Sequence, residues 1–167
     1  MNPTDRTLLE QMQITEFEIE HRKALLFFTQ TDVDSLLSCR PTIEKTVDQL
    51  VAEFYRLQTS VAEVALLIGD ADTLGRLRIA QRRYVLDLFS GLYDLEYVNN
   101  RLRIGIVHKR IGVEPKFYLS AMHTLTGLLR RTIGDALTVE VERQAVLAAL
   151  DKLLLFDVTL VFETYIR

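Results

Sequence analysis

The sequence predicts an all-α fold, and three observations predict it. Apolar residues recur every three or four positions through most of the 167 residues, and no stretch alternates apolar and polar side chains long enough to make a strand. Gly and Pro are few, seven and three, and are placed like punctuation. Hydrophobic residues make up 49% and charged residues 26%, enough apolar material for one buried core at an ordinary domain size, which excludes a disordered chain.

Residues 1–15 are mostly polar and are expected to be a flexible N-terminal segment, with one domain over 16–167. Ile14 to Phe28 reads as a first helix or extension, with Phe17, Leu25, Leu26 and Phe28 as its apolar residues. Thr31 stands three residues before Asp34, an approximate capping box, so a short helix is expected through Leu36 and Leu37. Pro41 suits the first turn of the next helix. From there Ile43, Val47, Leu50, Val51, Phe54 and Tyr55 make one continuous buried face. Gly69 closes a short apolar turn region, and a helix from about Asp72 to Phe89 turns Leu74, Leu77, Ala80, Tyr84 and Leu88 inward. Its wetter side carries Arg76, Arg78, Arg82 and Arg83.

A further helix from about Asp94 to Lys109 holds Val98, Leu102, Gly105 and His108 near one face, and Gly112 and Pro115 oppose its continuation. Pro115 opens a long helix toward Ile133, Gly134 separates it from a last helix over about Thr138 to Tyr165, and the count comes to seven or so helices. Leu125, Leu128, Leu129, Leu147, Leu150, Leu153, Leu154, Phe156, Leu160, Val161 and Phe162 give the last two helices more apolar surface than one side of each needs. A homodimer through these helices is expected, with a wholly internal core as the alternative.

Twenty Lys plus Arg against 23 Asp plus Glu leave a net charge of −3, so no bulk charge attracts nucleic acid. The first residues lack the basic flank and apolar run of a secretory signal. The most apolar stretch, Val146 to Phe162, is broken by Asp151, Lys152 and Asp157, so no membrane span is expected. Cys39 has no intrachain partner, which suits a reducing compartment, and a cytoplasmic location is the expectation.

Catalytic patterns are missing: there is no glycine-rich phosphate loop, HExxH, CxxC or nucleophile elbow, and one Cys excludes a cysteine-rich zinc site. Of His21, His108 and His123, the first and last read as surface residues. His108 stands at a helix end beside Ile104 and Gly105, before a forced break. A neutral imidazole there has two readings, a surface or capping residue or the single protein ligand of a haem iron.

The stretch Arg103 to Leu125, RIGIVHKRIGVEPKFYLSAMHTL, resembles the proximal-histidine segment of globin-coupled sensors: His108 is followed at short range by Gly112, Pro115 and the aromatic pair Phe117 and Tyr118. A second stretch, EFYRL from Glu53 to Leu57, resembles the segment of that family carrying a distal tyrosine. Tyr55 and His108 lie 53 residues apart, in register with the family without a gap. The resemblance implies a globin-like fold with an extra N-terminal helix and a reduced fourth helix. It implies haem b (iron protoporphyrin IX) with His108 as the iron ligand and Tyr55 as the distal hydrogen-bond donor. Leu77 and Ala80 would line the distal side, Tyr118 would lie near the imidazole, and Phe54, Tyr84, Ile104 and Phe117 would complete the cofactor's contacts. Ala80 departs from relatives with a hydroxyl there, which leaves Tyr55 as the one distal donor.

The function so implied is an oxygen sensor, with carbon monoxide and nitric oxide as further ligands. It would signal through a helical dimer to a linked or separate output module: a diguanylate cyclase, a histidine kinase or a chemotaxis transducer. The chain ends at Arg167 while still reading as helix, so an excised domain is expected over a stand-alone sensor globin. No enzyme activity is expected in this chain. The alternatives are a haemless globin-like interaction domain of a stress-signalling regulator, against which His108 and Tyr55 stand in register, and a haem enzyme. The latter needs electron delivery or an acid–base pair where the distal helix offers Leu77 and Ala80.

Overall fold

The computed structural model describes residues 7–167, and among these no strand occurs. Nine helices follow in order: α1 (Leu8–Gln11), α2 (Glu16–Leu25), α3 (Gln30–Ser38), α4 (Arg40–Thr59), α5 (Ala62–Ile68), α6 (Ala71–Leu88), α7 (Leu95–Arg110), α8 (Pro115–Ala136) and α9 (Glu140–Tyr165). Part of the segment expected to be flexible, Leu8–Gln11, makes a helical turn against α7, with Leu8, Leu9 and Met12 packed on the core. Residues 1–6 of that segment lie outside the described residues.

Local chemistry accounts for the element starts. Thr15, Asp70 and Asp94 each accept a backbone N–H of the first turn of α2, α6 and α7 through a side-chain oxygen. The capping pair of α3 falls two residues earlier than the sequence pattern places it: Thr29 N–H donates to Asp32 Oδ2 at 2.9 Å. Asp32 also accepts from Lys152 Nζ at 3.0 Å, so its position is fixed by α9 as well as by the cap. Pro41 lies in the first turn of α4, where a missing N–H costs nothing. Gly134 does not end α8, which runs two residues past it to Ala136; a lone Gly lowers helix propensity without breaking the hydrogen-bond ladder. The short apolar region before Gly69 is the helix α5.

Helix α9 is the axis of the molecule, packing against α3, α7 and α8. Its Leu150, Leu153, Leu154, Phe156, Leu160 and Val161 are all buried. On the other side α4 carries α6 and α8. Consequently α6 leans on α4 while α7 leans on α9, and the backbones of the two scarcely approach each other. No described helix is long and apolar enough to cross a membrane.

Candidate functional site

Because α6 and α7 are held by different neighbours, their backbones stay apart beyond the short link 89–94, and the gap between them is a candidate cleft. Half-exposed Leu74, Leu77 and Tyr84 lie on α6, and half-exposed Ile104 and His108 on α7. Ala80, one turn from Leu77 and from Tyr84, is exposed.

His108 occupies the last turn of α7. Its Nδ1 lies 2.7 Å from the Ile104 carbonyl, which can only accept, so Nδ1 is the donor in this bond, and Nε2 has no hydrogen-bond partner among the described residues. Tyr118, from the first turns of α8, meets the imidazole edge to face with ring centroids 5.8 Å apart. Tyr118 leans in turn on Tyr165, whose hydroxyl donates to the Val113 carbonyl at 2.7 Å. This fixes the turn 111–114, where Gly112 takes φ +82°, a value that a side chain at that position would strain. The sharp exit lets α8 return Tyr118 to the ring of His108.

Gly105 lets α7 approach α9 closely, one turn before His108. A Cβ at Gly105 would overlap the Thr164 hydroxyl and come within 3.0 Å of its Cγ2. Thr164 is itself buried and donates to the Val161 carbonyl at 2.6 Å.

Helices α4 and α6 pack against each other beside this site. Tyr55 is buried, with Phe54 edge-on to it at 5.0 Å, and its hydroxyl donates to the Leu77 carbonyl over a long 3.3 Å. Burial pushes its phenol up to about 12 against the opposing charge of Arg78, so Tyr55 is a neutral donor throughout the physiological range. Phe117 is half-buried with Lys116 Nζ 5.2 Å from its ring centroid. His21 and His123 are exposed.

Sequence reasoning missed a polar cluster near the link between α6 and α7. Asp157 of α9, 0% exposed, accepts from Tyr84 Oη at 2.8 Å and from Arg101 Nε at 3.0 Å, and Tyr97 Oη lies 2.8 and 2.9 Å from its two oxygens. The Arg101 guanidinium, 1% exposed, is sandwiched between the rings of Tyr84 and Tyr97 at 4.1 and 3.9 Å from their centroids. Burial raises the Asp157 carboxyl, against the pull of Arg101 and the tyrosine hydroxyls. Burial and the adjoining Asp157 hold both phenols well above their ordinary value. Tyr84, expected among the cofactor's contacts, spends its hydroxyl here.

Among the described residues no group of three or more His, Cys, Asp or Glu is placed to hold a metal ion, so a metal bound at His108 would need its remaining ligands from elsewhere. An imidazole with Nδ1 tied to a carbonyl and Nε2 free, at the mouth of a cleft with aliphatic and aromatic walls, fits a flat apolar cofactor that brings its own equatorial ligands, as haem does.

Protoglobin matches residues 15–167. The chain belongs to the Protoglobin family. This protoglobin is 34% identical over 174 residues to the "Heme-based aerotactic transducer HemAT" of Halobacterium salinarum, an alignment covering 95% of the chain and 35% of that relative. It therefore spans about a third of the relative's length. Among solved structures it is similar to the globin domain of the Geobacter sulfurreducens globin-coupled sensor, with a TM-score of 0.84 at 26% identity over 89% of this chain and 97% of that one. The globin-like architecture and the place among globin-coupled sensors expected from the two motifs are thus established, and the relatives are named as a transducer and a sensor.

Proposed function

We propose that this chain is a haem-based gas-sensor domain that takes up haem b between α6 and α7, with His108 Nε2 as the protein ligand to iron. The observation that carries the reading is the hydrogen bond from His108 Nδ1 to the Ile104 carbonyl, which occupies Nδ1, leaves Nε2 as the nitrogen available to a metal and orients the ring. Haem, when bound, supplies the iron at which a diatomic gas is exchanged. Phe54, Leu77, Ala80, Ile104 and Phe117 exclude water from its faces, and Tyr118 keeps the imidazole from turning. The ring of Tyr84 closes the inner end.

Oxygen is the gas that this distal wall favours. Tyr55 has a long bond to the Leu77 carbonyl to exchange for a better acceptor, and oxygen is more polarised by ferrous iron than carbon monoxide is. Nitric oxide and carbon monoxide bind with less help from the phenol.

A homodimer through α8 and α9 belongs to the same reading. Leu155 and Phe162, two turns apart on α9, are 51% and 45% exposed, and α9 is apolar on its outward side as well as its inner one. A second copy covering this face would place the two ends of α9 side by side, where a linked or separate output module receives the signal. The similarity to an aerotactic transducer supports a chemotaxis output, and a cyclase or kinase would use the same connection.

The test is a haem titration of the purified chain, followed by exposure of the reduced protein to oxygen and carbon monoxide. Uptake of one haem per chain with reversible, distinct spectra for the ligand-free, oxygen and carbon monoxide forms is expected. Failure to take up haem would leave the haemless interaction domain as the better account.

A further inference from the structure

The Arg101–Asp157 cluster has no part in gas binding as described above, yet it occupies a decisive position. Helices α6 and α7 are joined by a short link, and Tyr84 and Arg101 meet across it, while Leu77 and His108 each lie two turns further from the link along their own helix. The cluster is where α6, α7 and α9 share polar contacts. Tyr84 reaches it from α6, Tyr97 and Arg101 from α7, and all three meet one carboxylate on α9. Asp87, at the end of α6, adds a distant contact to the guanidinium at 4.0 Å.

Stability alone does not explain such a cluster. A buried ion pair loses in desolvation much of what it gains in attraction, and apolar side chains of the same volume often serve as well. Arg101 also leaves Nη2 without a partner among the described residues, a further cost. What directional bonds supply and apolar packing does not is a fixed register between elements. Here the elements registered are the two walls of the cleft.

We propose that Asp157, with Tyr84, Tyr97 and Arg101, is a positioning clamp that sets the separation and tilt of α6 and α7 and thereby the placement of His108. The claim concerns the hydroxyls of Tyr84 and Tyr97, the Arg101 guanidinium and the Asp157 carboxylate as positioning groups; the ring of Tyr84 keeps its separate place at the inner end of the cleft. Its lever arm is the two turns from Arg101 to His108, about 10 Å along α7. A small rotation at the clamp becomes a displacement of the imidazole. Conversely, a change in cleft width on gas binding strains the tyrosine bonds to Asp157, and Asp157 stands on α9, the helix that leads to Arg167. The inference rests on the haem-sensor reading for its functional consequence, while the clamp itself exists in the haem-free protein.

The test therefore has two arms. In the haem-free chain, amide hydrogen exchange is compared between wild type, Tyr84→Phe and Tyr97→Phe, each of which removes one hydroxyl and keeps its ring. The clamp predicts exchange about tenfold faster in residues 104–110, the worth of one hydrogen bond to a charged acceptor, with α3, α4 and α8 unchanged. In the haem-bound chain, Tyr97→Phe is expected to shift the iron–histidine stretching band, and Tyr84→Phe to change the oxygen dissociation rate at least threefold.

Asp157→Asn, if it folds, should combine both effects, and Asp157→Glu should restore part of each. Uniformly faster exchange, or a lowered melting temperature with local exchange, band and rate unchanged, would reduce the cluster to ordinary packing and overturn the proposal. If the wild type takes up no haem, the sensor reading fails, and the exchange arm alone decides the clamp.

Discussion

Replacing Gly105 with alanine places a methyl group into the closest approach of α7 and α9. The added carbon would overlap the Thr164 hydroxyl and lie 3.0 and 3.1 Å from Thr164 Cγ2 and Cβ, where unstrained carbon contacts sit at about 3.5–4.0 Å. Thr164 is held by the bond from its hydroxyl to the Val161 carbonyl, and its Cβ, which no side-chain rotation moves, already lies 3.1 Å from the added carbon. Helix α7 must therefore retreat from α9 by roughly half an ångström or more. Overpacking of this kind costs about 1–3 kcal/mol, and exchange of Gly for Ala inside a helix returns about 0.5–1 kcal/mol. A net loss of about 1–2 kcal/mol corresponds to a fall in melting temperature of roughly 2–8 °C for a domain of this size.

The assay is thermal and urea unfolding of wild type, Gly105→Ala, Thr164→Ala and the double variant. Thr164→Ala alone removes a buried hydroxyl and methyl and is destabilising, yet in the double variant it makes room for the new carbon. The cycle should therefore show a favourable coupling of at least about 1 kcal/mol. An additive double variant, or a Gly105→Ala protein with a raised melting temperature, would refute the close-approach argument. The fate of His108 is a second readout, since the displaced turn directly precedes it.

Three further outcomes follow from the same geometry. Tyr55→Phe is expected to speed oxygen dissociation about tenfold and carbon monoxide dissociation far less, as measured by stopped flow, because only the more polarised ligand loses a worthwhile hydrogen bond. With its phenol raised from 10.0 to about 12, Tyr55 keeps its proton in the folded chain where the unfolded chain has lost it. Its stabilising effect is complete below pH 10 and disappears as the pH passes 12; at about 1.4 kcal/mol per pH unit, wild type should lose roughly 2–3 kcal/mol more than Tyr55→Phe between pH 9 and 12 in urea titrations. Leu155→Lys with Phe162→Glu should convert a dimer into a monomer in sedimentation velocity without loss of helix content, whereas a wild type already monomeric would remove the dimer reading.

The helices were legible in the sequence because each carries its own period and its own stop: the buried face from Ile43 to Tyr55 and the break at Gly112 and Pro115 are local signals. The boundaries that moved did so where tertiary partners took over. Asp32 rather than Asp34 caps α3, since Lys152 of α9 holds it, and α8 continues through Gly134 because Leu129 and Ile133 are already buried there. At the site, the sequence pattern put Tyr55 and His108 in register but gave no sign that Tyr55 holds the Leu77 carbonyl or that Tyr165 supports Tyr118.

The Asp157 cluster was legible in principle. Asp157 falls on the buried stripe between Leu153 and Leu160, and Arg101 on that of Val98 and Leu102, so each helix carries one charge of opposite sign on its inner face. Reading Asp157 only as an interruption of an apolar run hid that pairing, which depends on how two distant helices cross.

The most direct test of the account is the absorption spectrum of the haem-reconstituted, reduced chain beside that of His108→Ala. The account predicts a ferrous spectrum of a histidine-ligated haem in the wild type that converts reversibly with oxygen. It predicts loss or strong alteration of that spectrum in the variant, with recovery when imidazole is added to fill the vacated position. A variant that retained the wild-type spectrum would show that another group holds the iron, and the cleft between α6 and α7 would no longer be its site.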